Sequence, residues 1–71
     1  MTTKFYISFN KNTKKYYPEY SSGIGSDIPR KFIDPKTNKS ESFNTYRDAE
    51  MFLAYNGFVE LNSNNWRSLN A

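Results

Sequence analysis

The side chains that could do chemistry in this 71-residue chain are carboxylates, lysines, arginines and tyrosines, because it has no histidine and no cysteine. Most nucleophilic, general-base and zinc sites use those two missing residue types. Asp48 and Glu50 are two residues apart in a segment of helical periodicity, so their carboxylates would face different directions. Asp27, Asp34 and Glu41 lack the ligand spacing of a calcium loop. We therefore expect a protein that is not an enzyme and that uses no cofactor and no metal ion.

The basic residues are unevenly distributed along the chain. Residues 4–39 contain eight Lys and Arg residues against three acids, a net +5, whereas residues 40–71 contain two against four, a net −2. Cations neutralise the phosphates of nucleic acids, and interleaved aromatic side chains can lie against sugars and bases. The asymmetry indicates one face that meets an anionic partner, and the alternative is a solvated lysine-rich surface. The residues predicted to bind nucleic acid are Lys14, Lys15, Tyr17, Arg30, Lys31, Lys36 and Lys39.

Two segments near the N terminus predict a β-hairpin. Residues 4–9 alternate between apolar and polar side chains, which is the period of a half-buried strand. Residues 10–13 supply turn-forming side chains, and residues 14–20 resume as a second strand rich in Tyr, with Tyr17 on the solvent-facing side. Pro18 has no amide N–H, which predicts that this second strand lies at a sheet edge or ends early.

A second hairpin is predicted in the middle of the chain. Residues 21–29 have no periodicity and are rich in Gly and Ser, so they predict a flexible loop. Residues 30–34 then have strand character, residues 35–39 have turn chemistry, and residues 40–43 resume an extended pattern. The turn of this hairpin would carry two lysines outward.

One amphipathic helix is predicted over residues 45–56. Thr45 fits an N-cap, with an acid three residues later as in a capping box. Gly57 fits the left-handed position that follows the last helical turn. The apolar side chains that recur at helical spacing are Ala49, Phe52 and Leu53.

These elements predict a single small α+β domain over residues 1–71. Its antiparallel sheet would have three to five strands, including the two hairpins, with the helix packed on one face and the other face open. Residues 58–61 could add a short strand, and residues 62–71 would either fray or dock through Trp66. No apolar segment is long enough to span a bilayer, so we expect a cytoplasmic protein with no membrane partner.

Residues 33–53 read I-D-P-K-T-N-K-S-E-S-F-N-T-Y-R-D-A-E-M-F-L. With Phe32, this order of a strand, a turn similar to D-P-x-T-G-K, a strand ending in an aromatic residue, and T-x-x-[DE]-A-E opening a helix resembles a known family. It is similar to the last hairpin and helix of the arm-type, AP2-like DNA-binding domains at the N-termini of tyrosine recombinases. The resemblance implies that the sheet enters the major groove of DNA while the helix backs the sheet. The residues that it would bring near the duplex are Arg30, Lys36 and Lys39.

The sequence leaves three functions open. Its composition, rich in Asn, Lys, Ser and Tyr, is typical of small accessory proteins from AT-rich genomes such as those of phages and mobile elements. The first function is binding of nucleic acid, with DNA the leading candidate, on the open face of the sheet. The second is modulation of a protein partner, for example inhibition of a host enzyme or defence complex through Tyr and Trp side chains. The third is a homo-oligomeric structural role, in which copies pair through an open sheet edge.

Overall fold

The computed structural model describes residues 3–22 and 28–69. Within these ranges five strands form one antiparallel sheet in the order β3-β2-β1-β7-β6, and β4 pairs with β5 in a separate hairpin. The elements in chain order are β1 (Lys4–Asn10), β2 (Lys15–Ser21), β3 (Arg30–Lys31), β4 (Ile33–Asp34), β5 (Lys39–Ser40), α1 (Tyr46–Tyr55), β6 (Phe58–Asn62) and β7 (Asn65–Ser68). The predicted α+β class, with one helix on a small antiparallel sheet, is confirmed.

The predicted loop over residues 21–29 falls in part on residues that have no described placement. Ser21 is the last residue of β2, and residues 28–29 lead into β3. Residues 23–27 lie outside the described ranges.

Alternation along β1 and β2 assigns their side chains to two faces of the sheet. Residues directly opposite each other in an antiparallel pair point to the same face. The pairs that face the helix are Phe5–Tyr20, Ile7–Pro18 and Phe9–Tyr16. The residues that alternate with them, and so form the open face, are Lys4, Tyr6, Ser8 and Asn10 of β1 and Lys15, Tyr17, Glu19 and Ser21 of β2. This is the assignment of faces that the alternating pattern predicts.

Local signals at both ends set the bounds of the helix. Thr45 is extended, with φ −130° and ψ 155°, and its Oγ1 accepts a hydrogen bond of 3.1 Å from the N–H of Asp48. This bond satisfies one of the free donors of the first helical turn. After the last turn, Gly57 has φ 83°, and its N–H donates to the carbonyl oxygen of Ala54 at 3.2 Å. Glycine takes this left-handed conformation without the steric cost of a β-carbon.

The core is small, and aromatic rings surround it. Among the described residues the buried core cluster consists of Ile7, Ala49, Leu53 and Trp66, of which Ala49 and Leu53 have no exposed surface. Pro18 is also fully buried. Phe32 lies at the centre of the surrounding rings. It makes edge-to-face contacts with Tyr20, Phe52 and Phe58, with ring centroids 5.4–5.8 Å apart. Such ring pairs add about 0.5–1.5 kcal/mol each beyond the area they bury. The half-buried side chains packed on the core are Phe5, Tyr16, Phe32, Phe43, Tyr46, Phe52 and Phe58.

The C-terminal strand lies inside the sheet. β7 has β1 on one side and β6 on the other, and Trp66 lies opposite Phe5 with 6% of its surface exposed. Residues 65–68 form this strand and Trp66 is its buried side chain, whereas residues 70–71 are not described. This strand packs into the sheet because burial of the large indole side chain contributes much of the apolar area that so small a core can bury.

Asn64 ties the turn between β6 and β7 to β1. Its side-chain Oδ1 accepts from the N–H of Ile7 at 2.7 Å, and its Nδ2 donates to the carbonyl oxygen of Ile7 at 2.9 Å. The side-chain amide thus makes the two bonds that a longer β7 would make with its backbone. Asn64 holds a φ of 53°, a left-handed conformation in which Asn is common.

We expect Asn64→Ala to lower the free energy of unfolding by about 2–3 kcal/mol, because the N–H and C=O of Ile7 then lose their partners in a part-buried site. The measurement is urea denaturation followed by Trp66 fluorescence. The matched control is Ser63→Ala in the same turn, an exposed position where the change should stay within about 0.5 kcal/mol. Equal losses in the two variants would contradict the role given to Asn64.

Candidate nucleic-acid interface

Two different segments share the outer edge of β2. Its C-terminal half pairs with β3, whereas near its start Tyr16 exchanges two backbone hydrogen bonds with Phe43, of 2.8 and 2.9 Å. Pro18 lies between these two partners. The N–H groups of alternate strand residues point to the same side, so the donor that Pro18 lacks would point to this same edge. The chain leaves the sheet here and returns at Phe43.

The expectation that Pro18 would put its strand at a sheet edge, or end it early, is wrong. β2 continues through Pro18 to Ser21 and has β1 and β3 as neighbours. The proline is tolerated in this inner strand because the missing N–H faces the gap between the two edge partners, where no ladder bond is made to it.

The chain that leaves the sheet forms a hairpin where one was predicted, but its strands are shorter than expected. Residues 30–31 of the predicted strand 30–34 belong to the five-stranded sheet, and β4 and β5 have two residues each. Asp34 of β4 pairs with Lys39 of β5, and the carbonyl oxygen of Asp34 accepts from the N–H of Asn38 at 2.7 Å. Its carboxylate accepts from the N–H of Lys36 at 2.9 Å, which orders the turn. Asn38 has φ 58° and so occupies the left-handed position that such a turn needs.

A groove of about 480 Å³ lies between this hairpin and the turn that joins β1 to β2. We call it the basic groove, because three lysines and a tyrosine line it together with four small polar side chains. The cationic and aromatic members are Lys15, Tyr17, Lys31 and Lys39. The small polar members are Asn10, Thr13, Ser40 and Ser42.

Tyr17 and Lys31 position each other inside the basic groove. The hydroxyl of Tyr17 donates to Oγ1 of Thr13 at 3.0 Å, which fixes the ring. The ammonium of Lys31 lies 5.4 Å from the centroid of that ring and 3.5 Å from Oε2 of Glu19. Glu19 is only 9% exposed, so its carboxylate needs this cation as a partner. Lys31 is therefore held in place, at the cost that Glu19 neutralises part of its charge.

Other polar groups modify the charge of the groove. Nζ of Lys15 donates to Oδ1 of Asn44 at 3.0 Å, a neutral partner that leaves the positive charge in place. On the hairpin, burial raises the pKa of Glu41, and the nearby charge of Asp34 raises it further. These two acids make the hairpin less positive than its lysines alone would.

The structure brings four of the seven predicted site residues together. Lys15, Tyr17, Lys31 and Lys39 line the basic groove, although they come from β2, β3 and β5. Lys14 and Lys36 are exposed in the two turns that border the groove. Arg30 lies elsewhere, because it pairs with Tyr20, whose ring packs against Phe32 on the helix-facing side. The register of β3 thus places Lys31, and not Arg30, beside Tyr17.

Some residues of this surface were missed by sequence reasoning. Asn10 and Thr13 read as turn residues, and Oδ1 of Asn10 does accept from the N–H groups of Asn12 and Thr13 at 2.8 and 3.2 Å. Arg67 of β7 pairs with Val59 and is next to Trp66 in the strand, so it lies on the open face. The alternation of polar residues around Trp66 was the signal that could have identified β7 and Arg67.

No protein-family model, curated protein or solved structure matches this chain. The resemblance of residues 32–53 to arm-type DNA-binding domains therefore stays a prediction. In the described part of the chain, no helix has the length and the apolar character needed to cross a membrane. Function is consequently inferred from the geometry of the groove and of the open face.

Lys14 has a strained backbone conformation, and its effect on stability can be measured separately from the effect of its charge. It has φ 57° and its N–H donates to the carbonyl oxygen of Asn10 at 2.7 Å. A left-handed conformation costs a residue with a β-carbon about 1–2 kcal/mol, and glycine avoids this cost. Glycine also increases the conformational entropy of the unfolded chain, which cancels part of the gain in stability. We expect Lys14→Gly to raise the free energy of unfolding by about 0.5–1 kcal/mol in urea denaturation.

The matched control is Lys11→Gly, which removes the same charge from the same turn at a residue without positive φ. It should give no gain in stability, because glycine there only adds freedom to the unfolded chain. A gain of equal size in both variants would show that relief of charge repulsion, and not backbone strain, is responsible.

Proposed function

We propose that this protein binds nucleic acid, with DNA as the leading partner, through the open face of its sheet and the basic groove beside it, and that it acts without enzymatic activity. The observation that carries the proposal is the convergence of Lys15, Lys31 and Lys39 on one groove. These lysines come from three strands, so local sequence does not bring them together. Clustered ammonium groups are stabilised by an anionic partner, and they otherwise repel one another.

The charges of the open face support the same partner. Its cations from the strands are Lys4, Lys15, Lys31 and Arg67, and its acid is Glu19. The exposed acid Asp48 lies instead on α1, behind the sheet. Since α1 also carries Arg47, its acids Asp48 and Glu50 leave it a net charge of only −1. A polyanion would therefore be attracted more strongly to the open face than to the helix, which orients the protein as it approaches. A sheet that faces the nucleic acid with a helix behind it is also what the resemblance to arm-type domains implies.

A matched pair of charge variants tests the groove. Lys15→Gln with Lys39→Gln removes two cations from the groove and leaves the pair of Lys31 and Glu19 intact. We expect weaker binding to a mixed-sequence duplex. In a plot of log affinity against log salt concentration, the magnitude of the slope should fall by about 1.8, because each of the two lost phosphate contacts contributes about 0.9. Fluorescence anisotropy at several salt concentrations measures both.

The control for this pair is Arg30→Gln with Arg47→Gln, which removes the same charge from the helix-facing edge of β3 and from α1. It should leave the slope nearly unchanged, because neither guanidinium lines the groove. Equal effects of the two double variants would mean that net charge alone drives binding. Absence of binding by the unaltered protein at low salt would exclude the proposed function.

Glu19→Gln is expected to strengthen binding. The substitution removes the carboxylate that lies 3.5 Å from the Lys31 ammonium and leaves a side chain of the same size. Because an ion pair whose lysine side chain is 39% exposed contributes about 0.2–1 kcal/mol, the affinity for duplex should rise by about 1.4- to fivefold. Glu50→Gln on α1 makes the same change in net charge and should have a smaller effect. If the Glu50 variant gains as much, competition by Glu19 for Lys31 is not the cause.

The edge strand β6 favours a second candidate, a protein partner. β6 pairs only with β7 in the described sheet, and its Val59 and Leu61 are exposed. A strand edge with apolar side chains can pair with a strand from a host protein or from a second copy of this chain. A complex formed through β6 would tolerate salt, whereas a complex formed through the basic groove would not.

A further inference from the structure

The lining of the basic groove suits phosphate oxygens better than bases. Its three ammonium groups and its Ser, Thr and Asn side chains all offer hydrogen-bond donors. Proteins contact the phosphates and sugars of nucleic acids with these side chains, whereas contact with the faces of bases needs flat apolar surface. Tyr17 is the aromatic residue of this lining.

The ring of Tyr17 is already occupied. The ammonium of Lys31 lies over its face at 5.4 Å from the centroid, and its hydroxyl is bonded to Thr13. A base stacked on that face would displace the ammonium from the ring. Stacking would therefore cost the contact between ammonium and ring, whereas a phosphate can bind the ammonium while that contact stays in place.

Exposed lysines also lie in the two turns beside the groove, and on the hairpin Asp34 offsets the charge of Lys36. Lys11 and Lys14 are exposed in the turn between β1 and β2, and Lys36 is exposed in the turn between β4 and β5. Since the groove lies between these turns, a chain of phosphates running along it would meet cations on both sides.

We propose that the basic groove binds the phosphodiester backbone of one nucleic-acid strand and makes no stacking contact with its bases. This inference rests on the proposed function. The ammonium groups of Lys15, Lys31 and Lys39 hold the phosphates, and Tyr17 is a positioning residue that keeps Lys31 over the groove. Binding at this site is consequently independent of the identity of the bases, and of their presence.

The test compares three probes of equal length at low salt: a mixed-sequence single strand, an abasic strand with the same backbone, and a mixed-sequence duplex. We expect the single strand and the abasic strand to bind with affinities within about twofold of each other, with a salt slope of about −2 for three contacts on a single strand. Preference for the intact strand by about fivefold or more, as stacking of even one base would give, overturns the inference alone. Failure of all three probes to bind overturns the proposed function.

Tyr17→Leu adds a second readout. As a positioning residue, Tyr17 should be worth about two- to fivefold in affinity, and its loss should weaken binding of the intact strand and of the abasic strand equally. A stacking role predicts weaker binding of the intact strand only. Tyr55→Leu on α1, where the ring is 82% exposed, is the matched control and should change neither. If Tyr17→Leu does not fold by circular dichroism, the comparison of intact and abasic strands with the unaltered protein decides the question.

Discussion

The outer edge of β2 changes partner at Pro18, an inner-strand residue without a hydrogen-bond donor, and the basic groove forms beside this change. Pro18 is fully buried opposite Ile7, yet it has no N–H to offer to the outer edge of β2. Partners of this edge change at that point, from β3 to Phe43, and the β4–β5 hairpin projects from the gap between them. Because the groove lies between this hairpin and the β1–β2 turn, its position depends on where the edge of β2 changes partner.

The sheet that carries the groove is stabilised by few but well-placed contacts. Within residues 3–22 and 28–69, four buried apolar residues form the core cluster, and aromatic rings centred on Phe32 close its edge. The side chain of Asn64 joins the β6–β7 turn to β1 through both backbone groups of Ile7. A chain of this size buries too little surface to tolerate loose packing, so these specific contacts determine whether the strands keep one register. That register in turn decides which lysines share a face.

Glu19 shows how the demands of folding and of binding oppose each other. A carboxylate with 9% exposure requires a cation, and Lys31 supplies it from the neighbouring strand β3. The same ion pair places Lys31 over the ring of Tyr17 and inside the groove. An incoming phosphate must then compete with Glu19 for the ammonium. The pair with Glu19 therefore fixes the position of the Lys31 ammonium but lowers its affinity for anions.

The sequence by itself determined the features that depend on neighbouring residues. Alternation in β1 and β2 assigned their two faces, and Thr45 and Gly57 marked the ends of the helix, because strand pleat and helix capping act over a few residues. Only the tertiary structure decided that Lys31 rather than Arg30 lies beside Tyr17, that the strand containing Trp66 enters the sheet, and that small polar residues from two hairpins distant in sequence line the groove. These features depend on pairing between segments far apart in the chain, where a shift of one residue moves every side chain to the other face.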